Sequence, residues 1–356
     1  MARPRGLGFG GFLIGLGAGW MIFKNMTLTS QMWAWLMIIA GSAIVASAVV
    51  SYYKPGFNAS SLVSAVAGGL ILSLVMTQGL GFVNFISDSG GVYPYSEEEV
   101  RNFDGGVAVN DVLFSTENVN GIVDVSTWSS NSYSIDVTVI GKGTSESDAM
   151  SMLGNVETDV SEILIGGRLE IVLTIDVPRT LWKKATVNVE AKLPTSATVD
   201  LDVSTTNGEL RTADLTGGDL YLTLTNGNVV FDDVTASTIH ASTTNGNVQG
   251  TLEAEDVSSR TTNGQITLEV PCQVSGSYDL SSTNGNIEVS VSPSQDVGFK
   301  VDLSVSNGVT SISLPELDYT TNTAKHKVAE TEGYSSRSVK IEIDASTTNG
   351  NAEIGS

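Results

Sequence analysis

Ser204-Thr205-Thr206-Asn207-Gly208-Glu209-Leu210 is followed nineteen residues later by Thr223-Leu224-Thr225-Asn226-Gly227-Asn228-Val229, and nineteen after that by Ser242-Thr243-Thr244-Asn245-Gly246-Asn247-Val248. The tripeptide Thr-Asn-Gly, with Ser306 once replacing the threonine, returns seven times, with asparagines at Asn207, Asn226, Asn245, Asn263, Asn284, Asn307 and Asn349. Successive spacings are 19, 19, 18, 21, 23 and 42 residues, so the last gap leaves room for a degenerate copy or an insertion. A period near twenty points to a stack of similar units, each too small to bury a core alone.

Aligned on the asparagine, position +3 reads Leu210, Val229, Val248, Ile266, Ile287, Thr310 and Ala352, and position +5 adds Phe231, Leu268, Val289, Ile312 and Ile354. Position −4 reads Val203, Leu222, Ala241, Ser259, Leu280, Leu303 and Ala345. Apolar residues two apart with polar ones between mark half-buried strands, so each unit reads as strand, Asn-Gly turn, strand. Asn-Gly between alternating runs ordinarily signals an antiparallel hairpin. Hairpins, however, give no reason for the same three residues to return at each unit. A parallel solenoid does, because equal positions of successive coils stack and their Thr and Asn side chains form ladders. The seven asparagines are therefore expected to serve turn chemistry and stacking. The rival reading, a calcium or glycan ladder, lacks the Gly-Gly-x-Gly-x-Asp pattern of calcium-binding solenoids.

The rest of the chain divides sharply. Residues 1–87 hold no Asp or Glu and four basic residues (Arg3, Arg5, Lys24, Lys54), a formal +4. All 39 acids and the other 14 Lys and Arg follow, giving 14 − 39 = −25 for residues 88–356. Apolar runs at 6–23, 32–53 and 61–86 are each long enough for a transmembrane helix, which needs about 20 residues. The first is glycine-rich and suited to close helix packing, hence to oligomerisation in the bilayer. Arg3, Arg5 and Lys54 favour a cytoplasmic N-terminus, and an odd number of spans then places the remainder outside the membrane. The expected domains are a three-helix transmembrane region over 1–87, an acidic linker over 88–110 and a β-solenoid over 111–356.

Between 105 and 200 the sequence reads as further β structure interrupted by one amphipathic helix, with Ser145 and Asp148 opening it and Ala149, Met152, Val156 and Val160 on one face. The helix is placed to cap the open end of the strand stack. Residues 315–338 read as a long polar excursion between the last two coils, the segment to test first for binding.

Chemistry is sparse. One cysteine, Cys272, excludes an intramolecular disulfide, and His240 and His326 have no metal-ligand spacing, so no cofactor or metal is expected. No Gly-x-Ser-x-Gly elbow exists to activate a serine. The charge of the C-terminal part opposes nucleic acid and anionic lipid as partners of that part.

The repeat array, the preceding Asn120-Gly121-Ile-Val-Asp-Val, the single helix after Gly143 and the final Val339-Lys-Ile-Glu-Ile-Asp-Ala-Ser-Thr-Thr-Asn-Gly together resemble the toast-rack, or adhesin-type, β-solenoid domains of prokaryotic envelope proteins. Gly11-Phe-Leu-Ile-Gly-Leu-Gly, Asn25-Met-Thr-Leu and Trp33-Ala-Trp-Leu-Met-Ile-Ile-Ala-Gly are more loosely similar to the helical hairpin of Lia-type envelope-stress regulators, from which the third span departs. The resemblance implies a non-enzymatic β-solenoid acting as adhesin or envelope scaffold. Its multi-pass anchor and extracytoplasmic placement rest on the three apolar runs and their flanking charges, and the extracytoplasmic tail, like the third span, departs from the Lia-type pattern. Its expected partners are the lipid bilayer and another envelope protein or surface polymer. The alternative it implies is an envelope-stress sensor signalling through the helices.

Overall fold

The computed structural model describes residues 93–293 and 296–356. The chain divides into two compact units, Met1–Tyr95 and Ser96–Ser356, and the architecture below is that of the second. The three expected membrane helices and the Lia-like segments lie outside the described residues. Among the described residues no helix is long and apolar enough to cross a membrane.

In the expected linker, Tyr95–Gly106 instead forms strand β1, which pairs with β3. The reason is visible in its side chains: Phe103 packs against the core, and Asn102 Nδ2 donates to Asp136 Oδ1 at 2.5 Å. Strands β2 (Asp111–Trp128), β3 (Ser132–Gly143), β4 (Glu157–Ile165), β5 (Arg168–Asp176) and β6 (Ala185–Pro194) follow, with helix α1 (Glu146–Leu153) between β3 and β4.

The helix is shorter than the sequence pattern suggests. Ser145 caps it, its Oγ accepting from Asp148 N at 3.1 Å, but the chain leaves the helix at Gly154. Val156 is buried just beyond the end, and Val160 belongs to β4. Arg101 of β1 fixes the stop, donating to the carbonyls of Leu153 at 3.0 Å and Val156 at 2.7 Å. Inward positions of β3 run Tyr133, Ile135, Val137, Val139, Gly141, Gly143. The last two lack side chains because the helix lies on them, a Cβ at either glycine colliding with the Ala149 backbone. The helix thus covers the core side of β3.

The remaining strands are β7 (Thr198–Ala213), β8 (Gly217–Asn245), β9 (Val248–Asn263), β10 (Ile266–Val270), β11 (Gly276–Asn284), β12 (Ile287–Val291), β13 (Val297–Asn307), β14 (Thr310–Ser313), β15 (Leu317–Asn322), β16 (His326–Thr331), β17 (Val339–Asn349) and β18 (Ala352–Gly355), and all but β15 and β16 belong to the repeats. A coil has a long arm before Asn-Gly and a short arm after it. Long arms stack in parallel register as β2, β7, β8, β9, β11, β17, β13, with β8 contributing two levels. Short arms stack likewise, ending β10, β12, β18, β14. The Asn-Gly step therefore joins two arms of one coil and closes no hairpin. Inward rows from both arms meet in one continuous core running from Val107 to Ile354.

The order of the last levels departs from the sequence. The coil carrying Asn349 lies between those of Asn284 and Asn307: β17 pairs with β11 on one side and β13 on the other. By skipping a level, the chain leaves β13 outermost and covers its edge with the excursion, whose β15–β16 hairpin pairs antiparallel with it. Val305 N donates to Lys325 O and Thr310 N to Ala324 O, both at 2.8 Å, so the hairpin turn also closes the terminal corner. An open parallel edge would template association, and this arrangement covers it.

The stacking also brings like charges together. Asp279, Asp344 and Asp302 occupy the same position on three neighbouring strands, with Arg260 bonded to Asp279 and His326 to Asp302, each at 3.0 Å. Burial, then Asp302, Asp279 and Glu342, raise the Asp344 carboxyl above the usual aspartate range, with His326 opposing. A carboxyl raised in the fold holds its proton more tightly there than in the unfolded chain. Stability then falls as pH rises through the raised value, and the penalty is complete above it. Asp344→Asn is expected to raise Tm at pH 7 by about 2 °C. The gain should vanish near pH 3, where folded and unfolded forms are both protonated. Thermal melts across this range check it.

Candidate functional site

The corner of each coil is built from three kinds of bond. Asn207 Nδ2 donates to Asn120 Oδ1 at 2.7 Å, Asn226 to Asn207 at 2.9 Å, Asn245 to Asn226 at 2.8 Å and Asn263 to Asn245 at 2.8 Å. The column continues with Asn284 to Asn263 at 2.9 Å, Asn349 to Asn284 at 2.7 Å and Asn307 to Asn349 at 2.9 Å. All seven sequence-identified asparagines stand in it, and Asn120 adds the first rung. Each amide from Asn207 to Asn349 spends a donor and an acceptor on its neighbours, and Asn307 ends the column as a donor.

Two further columns support this one. Two residues before the asparagine, Thr243, Thr261, Ser282 and Thr347 are buried and donate to the Gly227, Gly246, Gly264 and Gly285 carbonyls of the next level at 2.9–3.0 Å. Two residues after it, Asn228, Asn247, Asn286 and Asn351 accept from a backbone N–H of the adjacent coil at 2.9–3.1 Å. The threonine directly before the asparagine is more open, half-buried at Thr206 and exposed at Thr244. Bonds of this kind contribute about 1 kcal/mol each, so their repetition makes a stiff corner.

The corner glycines are fixed by approach more than by φ. Gly208 and Gly227 have φ of 138°, whereas none of the ladder asparagines has positive φ. At Gly227, Gly246, Gly264 and Gly285 alike, a Cβ would collide with the carbonyl oxygen of the glycine one level away. Left-handed residues lie instead at Asp214, Asp233, Cys272 and Glu316, outside the Asn-Gly steps. Cys272 is buried there, and burial pushes its thiol up to about 11.

The outer surface carries the variable chemistry. β2 and β5 pair from Asp111 opposite Arg168 to Thr116 opposite Leu173, then part. β5 continues to Asp176 with β4 on its other side, and a 3-10 turn at Arg179–Leu181 leads toward β6. The parting opens a cleft of about 620 Å³, lined by Glu117, Asp176, Arg179, Trp182, Asp202 and Ser204 among others. Trp182 is 39% exposed. Its Nε1 donates to Val177 O at 2.9 Å, its carbonyl accepts from Asn120 Nδ2, and the Arg179 guanidinium stands 5.9 Å from its ring centroid. The asparagine ladder therefore ends on the residue that carries the cleft's aromatic surface.

Beside the cleft, Asp202 is in register with Tyr221, which stacks on His240 of the next level at a centroid distance of 4.9 Å. This pair lines a hollow of about 300 Å³ with Arg260. His326, the other histidine, sits on the hairpin against Asp302. The hairpin region 315–338, singled out for binding by its length and polarity, is largely occupied in covering β13.

Sequence reading did not single out Glu117, Trp182 or Asp202. One signal was present: a tryptophan in Pro178-Arg-Thr-Leu-Trp-Lys-Lys, a polar connection where no alternating pattern calls for an aromatic residue.

Solved structures of similar arrangement include a candidate cell adhesion protein from Clostridium sporogenes, 10% identical, covering 73% of this chain and 99% of that one, with a TM-score of 0.35. A candidate adhesin from Bacteroides fragilis is 12% identical, covering 72% and 97%, with a TM-score of 0.34. A candidate lipid-binding protein from Parabacteroides distasonis is 9% identical, covering 73% and 97%, also at 0.34. No curated protein matches the sequence. The sequence profile of Toastrack DUF4097 matches residues 123–354, from β2 through β18, and the chain belongs to that family.

Proposed function

We propose that this protein is a non-enzymatic binding module of the cell envelope, anchored in the membrane through residues 1–87 with its solenoid outside. The observation that carries the binding role is the contrast between constant corners and a variable outer surface. The recurring asparagine side chains are used up in coil-to-coil bonds, and the exposed Trp182 and Tyr221 stand on the rigid frame those bonds make. Rigid arrays with variable faces suit recognition of extended partners. The anchor and orientation rest on the three carboxylate-free apolar runs and on Arg3, Arg5 and Lys54.

Protease treatment of intact cells, followed by probing for a tag at the C-terminus, tests the placement. The tag should be lost from intact cells under conditions that spare a cytoplasmic marker. A protected tag would place the solenoid inside and remove the surface-binding role.

A further inference from the structure

We propose that the Trp182 cleft and the Tyr221–His240 platform beside it bind a neutral polysaccharide, laid across the coils along the stacking direction. The inference rests on the reading of the chain as a binding module and names the class of its ligand.

The lining selects the class. Glu117, Asp176 and Asp202 accept hydrogen bonds, while Arg179 and the Ser204 hydroxyl donate. A sugar hydroxyl does both, and a vicinal pair matches one carboxylate. An anionic polymer would meet three carboxylates against the single Arg179, and Arg179 in turn opposes a simple cation. Among the described residues no three His, Cys, Asp or Glu come together to hold a metal ion.

The aromatic surfaces fit the same ligand. Trp182 and Tyr221 are 39% and 47% exposed, yet each is held in place, Trp182 by its two hydrogen bonds and Tyr221 by stacking at 24° on His240. Flat, pre-ordered rings offer apolar area to the C–H face of a pyranose at little entropic cost. Thr116 lines the cleft where the strands part. It is only 5% exposed, its side chain faces the inner row of β2, and its hydroxyl has no hydrogen-bond partner among the described residues.

Register supplies the direction. Asp202 and Tyr221 occupy the same position on neighbouring strands, and Ser258 follows His240 in register. Neighbouring strands lie about 4.8 Å apart, close to the length of one sugar residue. A glycan running along the stack would thus meet a new side chain at each unit, and longer chains would bind more tightly than short ones.

The test uses the full-length chain in a non-glycosidic detergent, titrated by calorimetry with laminarin, dextran and mannan, and with polygalacturonate and poly-lysine as charged comparisons. At least one neutral polymer should bind, with affinity rising with chain length. Trp182→Ala and Tyr221→Ala should each weaken it tenfold or more. Tyr221→Ala removes an exposed side chain, so it remains informative if Trp182→Ala disturbs the fold. The proposal is overturned if no neutral polymer binds, if poly-lysine alone binds, or if both variants bind as well as the parent. Protease protection of the solenoid in cells, by contrast, would refute the surface placement while leaving the titration result standing.

Discussion

Gly227→Ala is expected to lower the unfolding free energy by about 4 kcal/mol, the sum of a strained backbone and a steric collision. The strain arises because Gly227 has φ of 138°, a region L side chains rarely adopt. The collision arises because the added Cβ would press into the Gly208 carbonyl, which is backbone and belongs to the adjacent level. Neither level can withdraw without stretching the Asn226–Asn207 bond of 2.9 Å and the neighbouring parallel register. Gly154→Ala is the control. Its φ is −70° and a Cβ there meets nothing within 4 Å, so stability should hold or rise slightly. Urea unfolding of both variants, read by far-ultraviolet circular dichroism, checks the contrast. Equal stabilities would mean that the corners are looser than their geometry indicates.

The period of the repeat and its apolar +3 and +5 positions made the coil legible, because burial alternates along a strand whatever surrounds it. The chemistry of the corner was only partly legible. Asn-Gly is an ordinary signal for positive φ, yet the asparagines are not left-handed and serve by their amides. The glycines serve mainly by admitting a neighbouring backbone. The buried hydroxyl two residues before the asparagine was obscured because Leu224 and Val305 replace it in two coils. Periodicity carried the helix pattern through Val160, but Arg101, some fifty residues earlier in sequence, holds the helix end by taking the carbonyl of its last residue, Leu153, and that of Val156 just beyond.

Level order was harder still. Coils with equal inner faces can stack in more than one sequence, and the 42-residue gap fits a simple insertion as well as a skipped level. The edge decides between them: β13 gains a cover from the β15–β16 hairpin only if the Asn349 coil slips beneath it. The cleft was invisible for a related reason. It exists because β5 parts from β2 after Leu173, an event of pairing that leaves no pattern in either strand.

Asn245→Asp carries the second large expected effect and bears on the purpose of the repeat itself. Asn245 donates to Asn226 and accepts from Asn263, each at 2.8 Å. Aspartate keeps the shape and the acceptor but loses the donor, so two oxygens would face each other at hydrogen-bonding distance. The loss should be about 2 kcal/mol, more than for one bond removed cleanly, because the Asn226 oxygen is left facing a charge. A repeat that served as a cation ladder would behave in the opposite way, since a carboxylate is the better ligand for a hard cation such as calcium.

The direct test is therefore the unfolding free energy of Asn245→Asp, measured in urea at pH 7 with chelator and again with millimolar calcium. A stacking ladder predicts a loss of about 2 kcal/mol that calcium does not restore. A variant as stable as the parent, or one that calcium stabilises above it, would contradict the account of the Asn-Gly column as scaffold.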